Sequence, residues 1–373
     1  MFKFDFGKIV CSMALLVACS AGCQVLDHPE AATSSNLATT PPFAPVDQFK
    51  WIEIPTSFQL FAFASSDGRI VAIGQKGMVE IGEDGSLTNQ TSFRITDAFR
   101  SVDGGLTRKA DDAKVFDLDD LCFPLNAKVL SDSIAVYANC ENTTQVWNIS
   151  VGSEYSNLTL TDFIYPDNKF PRTTLWGPTR MTTTSDRSVF PSFLRPGPAF
   201  LGSKEKESRF EILWQGKWED GGIAAVDFVG RNGWMLLSGG KLLRSMDNGG
   251  NWVDYSNIPD DAQFKVMNMK MMNESVGFIV GGEGLILRTE DSGKTWTKES
   301  SGVDKALQRI TYGSSIAAFG PNEIIVIRNR DDPKWKKIEF KPRAVIFDMT
   351  FRGKKLYLLA DGKLFYSDIS DPG

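Results

Sequence analysis

The sequence is poor in the residues on which much enzyme chemistry depends. Its 373 residues include a single histidine, His28, and five cysteines. His28 lies in a stretch that lacks hydrophobic periodicity, so we predict that it falls outside the folded domain. The folded part then lacks the histidine that a Ser-His-Asp triad, a Cys-His dyad or a histidine-ligated zinc site requires. These classes of active site are excluded.

An excess of positive charge is also missing. The chain has 41 Lys and Arg against 46 Asp and Glu, a net charge of −5, and its pI is about 5.2. We therefore expect no nucleic-acid partner. Hydrophobic residues make up 42% and charged residues 23% of the chain, a composition typical of a soluble globular protein.

The N-terminus carries the pattern of a secretory signal. Lys3 and Lys8 precede an apolar stretch from Ile9 to Ala18, which is too short to span a bilayer. The stretch ends in Leu-Val-Ala-Cys19, which resembles the lipobox of bacterial lipoproteins. That resemblance implies removal of residues 1–18 and lipidation of Cys19, with Cys23 as a poorer alternative.

Residues 19–46 form the predicted lipidated cysteine and a flexible tether. The segment is rich in Ala, Thr, Ser and Pro, as flexible linkers are. Ser20, the residue after Cys19, implies by the lipoprotein sorting rule an outer-membrane location facing the periplasm. The folded domain is predicted over residues 47–373.

Two cysteines, Cys122 and Cys140, remain in the predicted domain. In an oxidising compartment they can form a disulfide. By closing a loop, this disulfide would stabilise the fold by about 3 kcal/mol. Two separate buried thiols are the alternative.

Short apolar or alternating runs separated by turn residues fill the predicted domain, which indicates an all-β fold. The segments 226–252 and 268–296 both follow the order strand, turn, Gly-aromatic strand, Gly-rich turn, strand, acidic turn and Trp. Their acidic turns carry Asp247 and Asp291, which are 291 − 247 = 44 positions apart. This period is typical of one four-stranded blade of a β-propeller.

The end of each repeat resembles the Asp-box, or bacterial neuraminidase repeat, of β-propellers. The Ser or Thr hydroxyl and the carboxylate suit hydrogen bonds to turn backbone, glycine suits positive φ, and the indole suits burial between strands. The resemblance assigns a structural role to eight residues: Ser245, Asp247, Gly249, Trp252, Thr289, Asp291, Gly293 and Trp296.

Weaker copies of the repeat predict a propeller of about seven four-stranded blades, with long inserts around residues 93–112 and 151–185. Residues 329–335 hold the position of a shortened box without its glycine. The last repeat ends without a Trp strand, while residues 49–54 form a strand without a blade of its own. We predict that this N-terminal strand completes the last blade and closes the ring.

The repeats are also similar to the photosystem II stability/assembly factor-like family. Gly282–Thr289 (GEGLILRT) and Gly240–Ser245 (GKLLRS) match its blade pattern best. The resemblance implies a non-catalytic propeller that docks a membrane or envelope protein and supports its assembly. We expect a lipid-anchored monomer with no catalytic residues, no cofactor and no metal.

A sialidase-like glycoside hydrolase is the alternative. Such an enzyme needs an arginine triad, a Tyr–Glu pair and an acidic proton donor on the central face. Arg94, within Phe-Arg-Ile-Thr, and the pair Arg309 and Tyr312 are the candidates.

The sequence also contains two charged segments. The first is an acidic cluster that lacks the spacing and central Gly of a calcium loop. The second interleaves basic and aromatic residues between Lys334 and Arg343, and it suits a solvent-exposed face, an acidic partner or an anionic lipid. The members of the two segments are Asp111, Asp112, Asp117, Asp119 and Asp120, and Lys334, Trp335, Lys336, Lys337, Phe340, Lys341 and Arg343.

Overall fold

A computed structural model describes the domain from residue 49 to residue 369, with internal gaps. The described residues are 49–66, 68–102, 105–108, 122–129, 133–139, 144–152, 155–163, 182–183, 187–194, 197–204, 211–320, 323–330 and 332–369. The predicted signal peptide, Cys19, Cys23, the tether and His28 lie outside them, as do Cys140 and the acidic cluster.

Strands make up the regular structure of the described residues, apart from short 3₁₀ turns. None of the described helices is long and apolar enough to cross a membrane. The first fourteen strands are β1 (Ile52–Ile54), β2 (Leu60–Ser66), β3 (Arg69–Gly74), β4 (Gly77–Ile81), β5 (Leu87–Val102), β6 (Gly105–Arg108), β7 (Phe123–Val129), β8 (Ile134–Asn139), β9 (Thr144–Ser150), β10 (Tyr155–Phe163), β11 (Thr182–Thr183), β12 (Arg187–Leu194), β13 (Gly197–Lys204) and β14 (Glu211–Gln215). The others are β15 (Ile223–Val229), β16 (Asn232–Leu237), β17 (Lys241–Ser245), β18 (Val253–Asn257), β19 (Val266–Met271), β20 (Gly277–Gly281), β21 (Ile286–Thr289), β22 (Thr297–Glu299), β23 (Arg309–Tyr312), β24 (Ser315–Phe319), β25 (Ile324–Asn329), β26 (Lys336–Glu339), β27 (Ile346–Arg352), β28 (Lys355–Ala360) and β29 (Lys363–Asp368).

The strands pair into four-stranded antiparallel sheets and one larger sheet. The four-stranded sheets are β11–β14, β15–β18, β19–β22, β23–β26 and a sheet in the order β1-β29-β28-β27. We call β15–β18, β19–β22 and β23–β26 box sheets 1, 2 and 3, and the sheet that contains β1 the closing sheet. The fold is the predicted all-β propeller.

The first strands of neighbouring sheets contact one another around the ring. Contacts join β11 to β15, β15 to β19, β19 to β23, β23 to β27, β27 to β2 and β2 to β7. These strands therefore line the centre, and the fourth strands form the rim. Strand composition follows this arrangement: β20 and β24 are buried throughout, whereas β18 and β22 are polar and mostly exposed.

The predicted closure by an N-terminal strand is confirmed. β1 pairs antiparallel with β29, with Ile52 opposite Tyr366 and Ile54 opposite Leu364. The first ordered strand of the domain thereby covers the edge of the last hairpin, and the ring has no open end there.

The regions of the two predicted inserts contain strands. β5 extends to Val102 and is followed by β6, and β10 occupies residues 155–163. β10 alternates as a half-buried strand does, with Ser156, Leu158 and Leu160 fully buried. Its polar, threonine-rich sequence resembles a loop, but threonine favours strands.

β5 and β10 also run parallel to each other, which fuses two antiparallel sets of strands into one nine-stranded sheet. The hydroxyls of Thr91 and Ser156 lie 2.7 Å apart at this buried junction. Antiparallel repeats alone do not predict a parallel pair between two outer strands.

The number of blades, about seven, stays a prediction.

The hydrophobic core consists of wedges between neighbouring sheets rather than one central globule. One wedge joins box sheets 1 and 2 through Trp234, Leu242, Met269 and Ile279. The Met-rich strand β19 contributes the buried Met269 and Met271 to it, as fillers of an irregular gap.

Cys122 is disulfide-bonded. Because Cys140 lies outside the described residues, its pairing with Cys122 stays a prediction.

Candidate functional site

The Asp-box of box sheet 2 is a hairpin held by one hydroxyl and one carboxylate. Thr289 Oγ1 donates to Asp291 Oδ1 at 2.9 Å and accepts the backbone N–H of Gly293 at 2.8 Å. Asp291 also accepts the backbone N–H and the hydroxyl of Thr295, at 2.9 and 2.7 Å. Gly293 takes φ +88°, a conformation that glycine adopts without strain.

The same pattern recurs in box sheet 1. Ser245 Oγ donates to Asp247 Oδ1 at 2.8 Å and accepts from Gly249 N at 2.9 Å, while Asn251 donates to Asp247 twice. Gly249 takes φ +81°. The two boxes thus place equivalent atoms in equivalent turns.

Each box turn lies against the sheet that precedes it. In box sheet 2, the carbonyl of Ser292 accepts the indole N–H of Trp234 at 2.7 Å, and the carbonyl of Gly293 accepts the Ser256 hydroxyl at 2.6 Å. Both donors belong to box sheet 1, and Trp296, only 8% exposed, packs into the wedge between the two sheets. Trp252 packs likewise beside Leu213 and Trp214 of β14.

Box sheet 3 is fastened by an ion pair instead of an Asp-box. Trp335, 2% exposed, donates its indole N–H to Glu299 Oε2 at 2.7 Å. Arg328 Nη1 donates to both Glu299 oxygens at 2.9 Å. Because Glu299 ends box sheet 2, this buried charge pair bridges box sheets 2 and 3.

The inner strands are braced by charges as well. Asp227 of β15 accepts Lys270 Nζ at 2.6 Å and Met271 N at 2.8 Å, both from β19. Asp348 of β27 lies 3.1 Å from Arg309 Nη1 and accepts Phe63 N from β2. Each carboxylate therefore ties its sheet to a neighbour.

Arg309 is a bridge within the ring rather than a free cation. Its Nη2 donates to the carbonyl of Leu125 in β7 at 3.1 Å, in addition to the contact with Asp348. Arg94 is exposed on β5, an outer strand, whereas Arg309 and Tyr312 lie on the inner strand β23. The three residues proposed for a sialidase-like site are not brought together.

Two open cavities lie at the rim of box sheet 2, and the first extends to Ile324 and Lys337 of box sheet 3. We call the two cavities together the groove. The cavities, of about 440 and 400 Å³, meet at Glu299. Lys298, Ser301, Asp304 and Lys337 line the first, and Arg288, Glu290, Thr295 and Thr297 line the second. Groups of both charge signs, with hydroxyls between them, suit the backbone and side chains of a polypeptide.

Arg288 is the residue of this groove with unused hydrogen-bonding capacity. Its Nη2 contacts Glu290, but its buried Nε has no hydrogen-bond partner and lies 3.9 Å from Glu299 Oε1. A buried donor without a partner carries a free-energy cost. The Arg288 side chain as a whole is 29% exposed.

Among the groove residues, the Asp-box and the basic segment point to Asp291 and Lys337 but not to Arg288, Lys298 or Glu299. Arg244, Arg288 and Arg328 precede successive boxes at spacings of 288 − 244 = 44 and 328 − 288 = 40 residues. This spacing could have identified the three arginines from the sequence. Glu299 has no such signal, because its importance comes from Arg328 and Trp335 of the next sheet.

No grouping of His, Cys, Asp and Glu suited to a metal ion occurs among the described residues.

In the basic segment, Trp335 and Phe340 are buried, at 2% and 3% exposure. The cations Lys334, Lys337 and Lys341 are exposed.

Comparisons with known proteins agree with the box sheets. The family described as photosynthesis system II assembly factor YCF48 matches residues 223–330. The photosystem II assembly lipoprotein Ycf48 of Synechococcus sp. (strain CC9902) is 23% identical over 161 residues. These residues are 39% of this chain and 47% of that lipoprotein, so the match spans about half the length of the relative.

Solved structures share the fold over most of the chain. YCF48 bound to a D1 peptide gives a TM-score of 0.54 at 12% identity, over 88% of this chain and 99% of that one. YCF48 from Cyanidioschyzon merolae gives 0.55 at 13%, over 86% and 99%. Virginiamycin B lyase of Staphylococcus aureus gives 0.56 at 12%, over 87% and 100%. An assembly factor and a lyase thus share the fold, which alone does not specify function.

The repeats, the closure and the ring of sheets define this protein as an Asp-box β-propeller. Over its box sheets it is similar to the YCF48 type of photosystem II assembly factor.

The carboxylate of Asp291 makes box sheet 2 sensitive to acid. Hydrogen bonds from the backbone and then the hydroxyl of Thr295 hold the pKa of Asp291 below its usual value, against the opposing effect of burial. A carboxyl whose pKa is lowered by folding stabilises the fold above its unfolded pKa of about 3.9 and loses this effect as the pH falls below that value.

We predict that Asp291→Asn lowers the free energy of unfolding at pH 7, because the hydrogen bonds to the carboxylate are weakened. The loss should be only on the order of 1 kcal/mol, because solvent screens this carboxylate. The difference from the wild type should shrink as the pH falls below about 4. Thermal unfolding across this range is the measurement, with Asp304→Asn, at an 88% exposed side chain, as the control. An equal difference at every pH would show that the charge of Asp291 is irrelevant.

Proposed function

We propose that the protein is a membrane-anchored, non-catalytic propeller that docks a protein partner and supports its assembly. The braced ring supplies a stiff platform, and the groove supplies the recognition surface. The partner is a membrane or envelope protein, and the propeller acts on it as a monomer, without a nucleic acid, metal or cofactor.

The groove is the observation that carries this proposal. It lies within and beside the segment 223–330 that matches the assembly-factor family, and the partly exposed side chain of Arg288 lines it. A structure of similar fold holds a D1 peptide, which supports a peptide as the kind of ligand. We infer that an extended segment of the partner lies along the groove and hydrogen-bonds to Arg288.

The chemistry of the groove suits reversible docking. Glu299 is engaged by Arg328 and Trp335, so it positions the groove wall. Lys298 and Arg288 lie on opposite sides of it and can each receive an acidic or carbonyl group. Such charged contacts set orientation and specificity more than affinity.

Lipidation of Cys19 is proposed as the anchor, with Cys23 as the alternative. The lipobox pattern supports this, as does the name of the relative in Synechococcus, a lipoprotein. Ser20 after the cysteine favours the outer membrane and a periplasm-facing domain. Tethering confines the propeller near membrane partners and raises their effective concentration.

We predict that Arg288→Ala combined with Lys298→Ala reduces recovery of the partner roughly tenfold, because two charged contacts of the groove are lost. The full-length protein is crosslinked in its native membrane and purified, and partner recovery is compared with the wild type. Lys217→Ala with Lys354→Ala removes the same charge from other exposed positions and should leave recovery unchanged. Equal recovery with both double variants would contradict the groove as the docking site, and turnover of a fluorogenic sialoside would contradict the non-catalytic role.

We predict that Cys19→Ser releases the full-length protein from the membrane fraction, because the acyl chains supply the anchor. Cys23→Ser is the matched control and should stay bound. Fractionation followed by mass spectrometry of the N-terminal peptide measures both. Retention of the Cys19→Ser protein together with release of the Cys23→Ser protein would reassign the anchor to Cys23.

A further inference from the structure

We propose that the rim of box sheet 3 carries a docking surface for an anionic lipid bilayer. The surface, which we call the basic strip, consists of the cations between Lys334 and Arg343 on and beside the outer strand β26. This segment has five basic residues and one acidic residue, Glu339, a net charge of 5 − 1 = +4 in a chain whose total is −5.

The fold buries the apolar residues of this segment and exposes its cations. Trp335, Ile338 and Phe340 are at most 3% exposed and pack into the wedges on the two sides of the sheet. Lys337 and Lys341 alternate with them and face solvent. The aromatic residues are therefore core, and only the cations are presented outward.

Four of the five cations of the strip form no ion pair with the described residues: Lys334, Lys337, Lys341 and Arg343. Five lysines elsewhere are neutralised, because each lies within 4 Å of a carboxylate: Lys241, Lys265, Lys270, Lys298 and Lys363.

Acidic groups near the strip do not cancel it. Glu339 is exposed between Lys337 and Lys341, and Asp332 accepts the backbone N–H of Lys334. On the neighbouring β1, Glu53 is paired with Lys363. Glu339 and Asp332 keep their negative charges, so residues 332–343 carry a net charge of 5 − 2 = +3, which faces solvent beside β26.

The N-terminal chain enters the ring at this place. The Trp51 ring packs edge-on against Phe340 at 5.3 Å, and its Nε1 donates to the carbonyl of Glu339 at 3.4 Å. Lys50, which is exposed, adds a cation at the point of entry. The tether therefore joins the propeller beside the basic strip.

This position selects a lipid surface as the occupant. Residues 19–48 number 48 − 18 = 30, and a flexible coil of that length spans about 30 Å. An anchor at Cys19 would keep this side of the rim within about 30 Å of the headgroups, and the cations would attract the surface whenever they came within a Debye length of about 8 Å. A lipid chain and a polybasic patch together form a stable two-part membrane signal.

The basic strip would thus fix how the propeller stands on the membrane. With the rim of box sheet 3 toward the bilayer, the adjoining groove opens close to the membrane surface, where a segment of an integral membrane partner emerges. This orientation deepens the proposed docking function and rests on it, but the lipid contact itself does not.

The test uses a chain beginning at Ser20, which lacks the acyl group and keeps residues 49–369, within which the ring closes. Co-sedimentation is measured with vesicles of phosphatidylcholine alone and with vesicles that also contain phosphatidylglycerol. We expect binding to the anionic vesicles only, and its loss at high salt. Each basic residue near an anionic surface strengthens binding about fivefold.

The strip variant is Lys334→Glu, Lys341→Glu and Arg343→Glu, which spares Lys337 because that residue also lines the groove. It should weaken binding at least on the order of 100-fold. The control variant is Lys217→Glu, Lys294→Glu and Lys354→Glu, which makes the same charge change elsewhere and should bind more than the strip variant. Circular dichroism verifies that both variants are folded.

Three results would overturn the proposal: no binding of the parent chain to anionic vesicles, equal loss in both variants, or salt-sensitive binding to soluble polyaspartate without vesicle binding. The last would assign the basic strip to an acidic protein. Because the crosslinking experiment on the groove uses Arg288 and Lys298, failure of one proposal is distinguishable from failure of the other.

Discussion

The structure depends on the hydrogen bonds by which Thr289 and Asp291 close a hairpin. A turn at the rim of a sheet has backbone groups that water would otherwise solvate. Here the Thr289 hydroxyl takes the N–H of Gly293, so the carbonyls of Ser292 and Gly293 are presented in fixed directions. Trp234 and Ser256 of the preceding sheet bind those carbonyls. A local turn thereby becomes a link between sheets.

Elsewhere in the ring, charged side chains link neighbouring sheets. Box sheet 3 lacks the Asp-box, and there the Glu299 carboxylate holds Arg328 and Trp335. At the centre, Asp227 and Asp348 each bind a cation and a backbone N–H of the neighbouring strands. These carboxylates join neighbouring sheets, and four cations of the rim that form no ion pair with the described residues, Lys334, Lys337, Lys341 and Arg343, are left for recognition.

Much of the fold was predictable because it repeats. A 44-residue period, the Asp and Trp of each box, and a lone strand at the N-terminus together indicate a closed propeller, and β1 does pair with β29. The parallel pair of β5 and β10 was not predictable, because it joins two outer strands that no repeat relates. The groove escaped prediction for a similar reason: Glu299 matters through Arg328, 29 residues later in the next sheet, and the sequence shows no pattern that connects them.

Protection of the box turn from hydrogen exchange tests the central claim most directly. The amide of Gly293 is predicted to exchange as slowly as the core-strand amides of β20, although it lies in a turn, because it is bonded to Thr289 Oγ1. Thr289→Val should remove the protection at Gly293 and leave that of Gly249, whose partner is Ser245. Exchange of Gly293 in the wild type at the rate of an unstructured peptide would contradict the account.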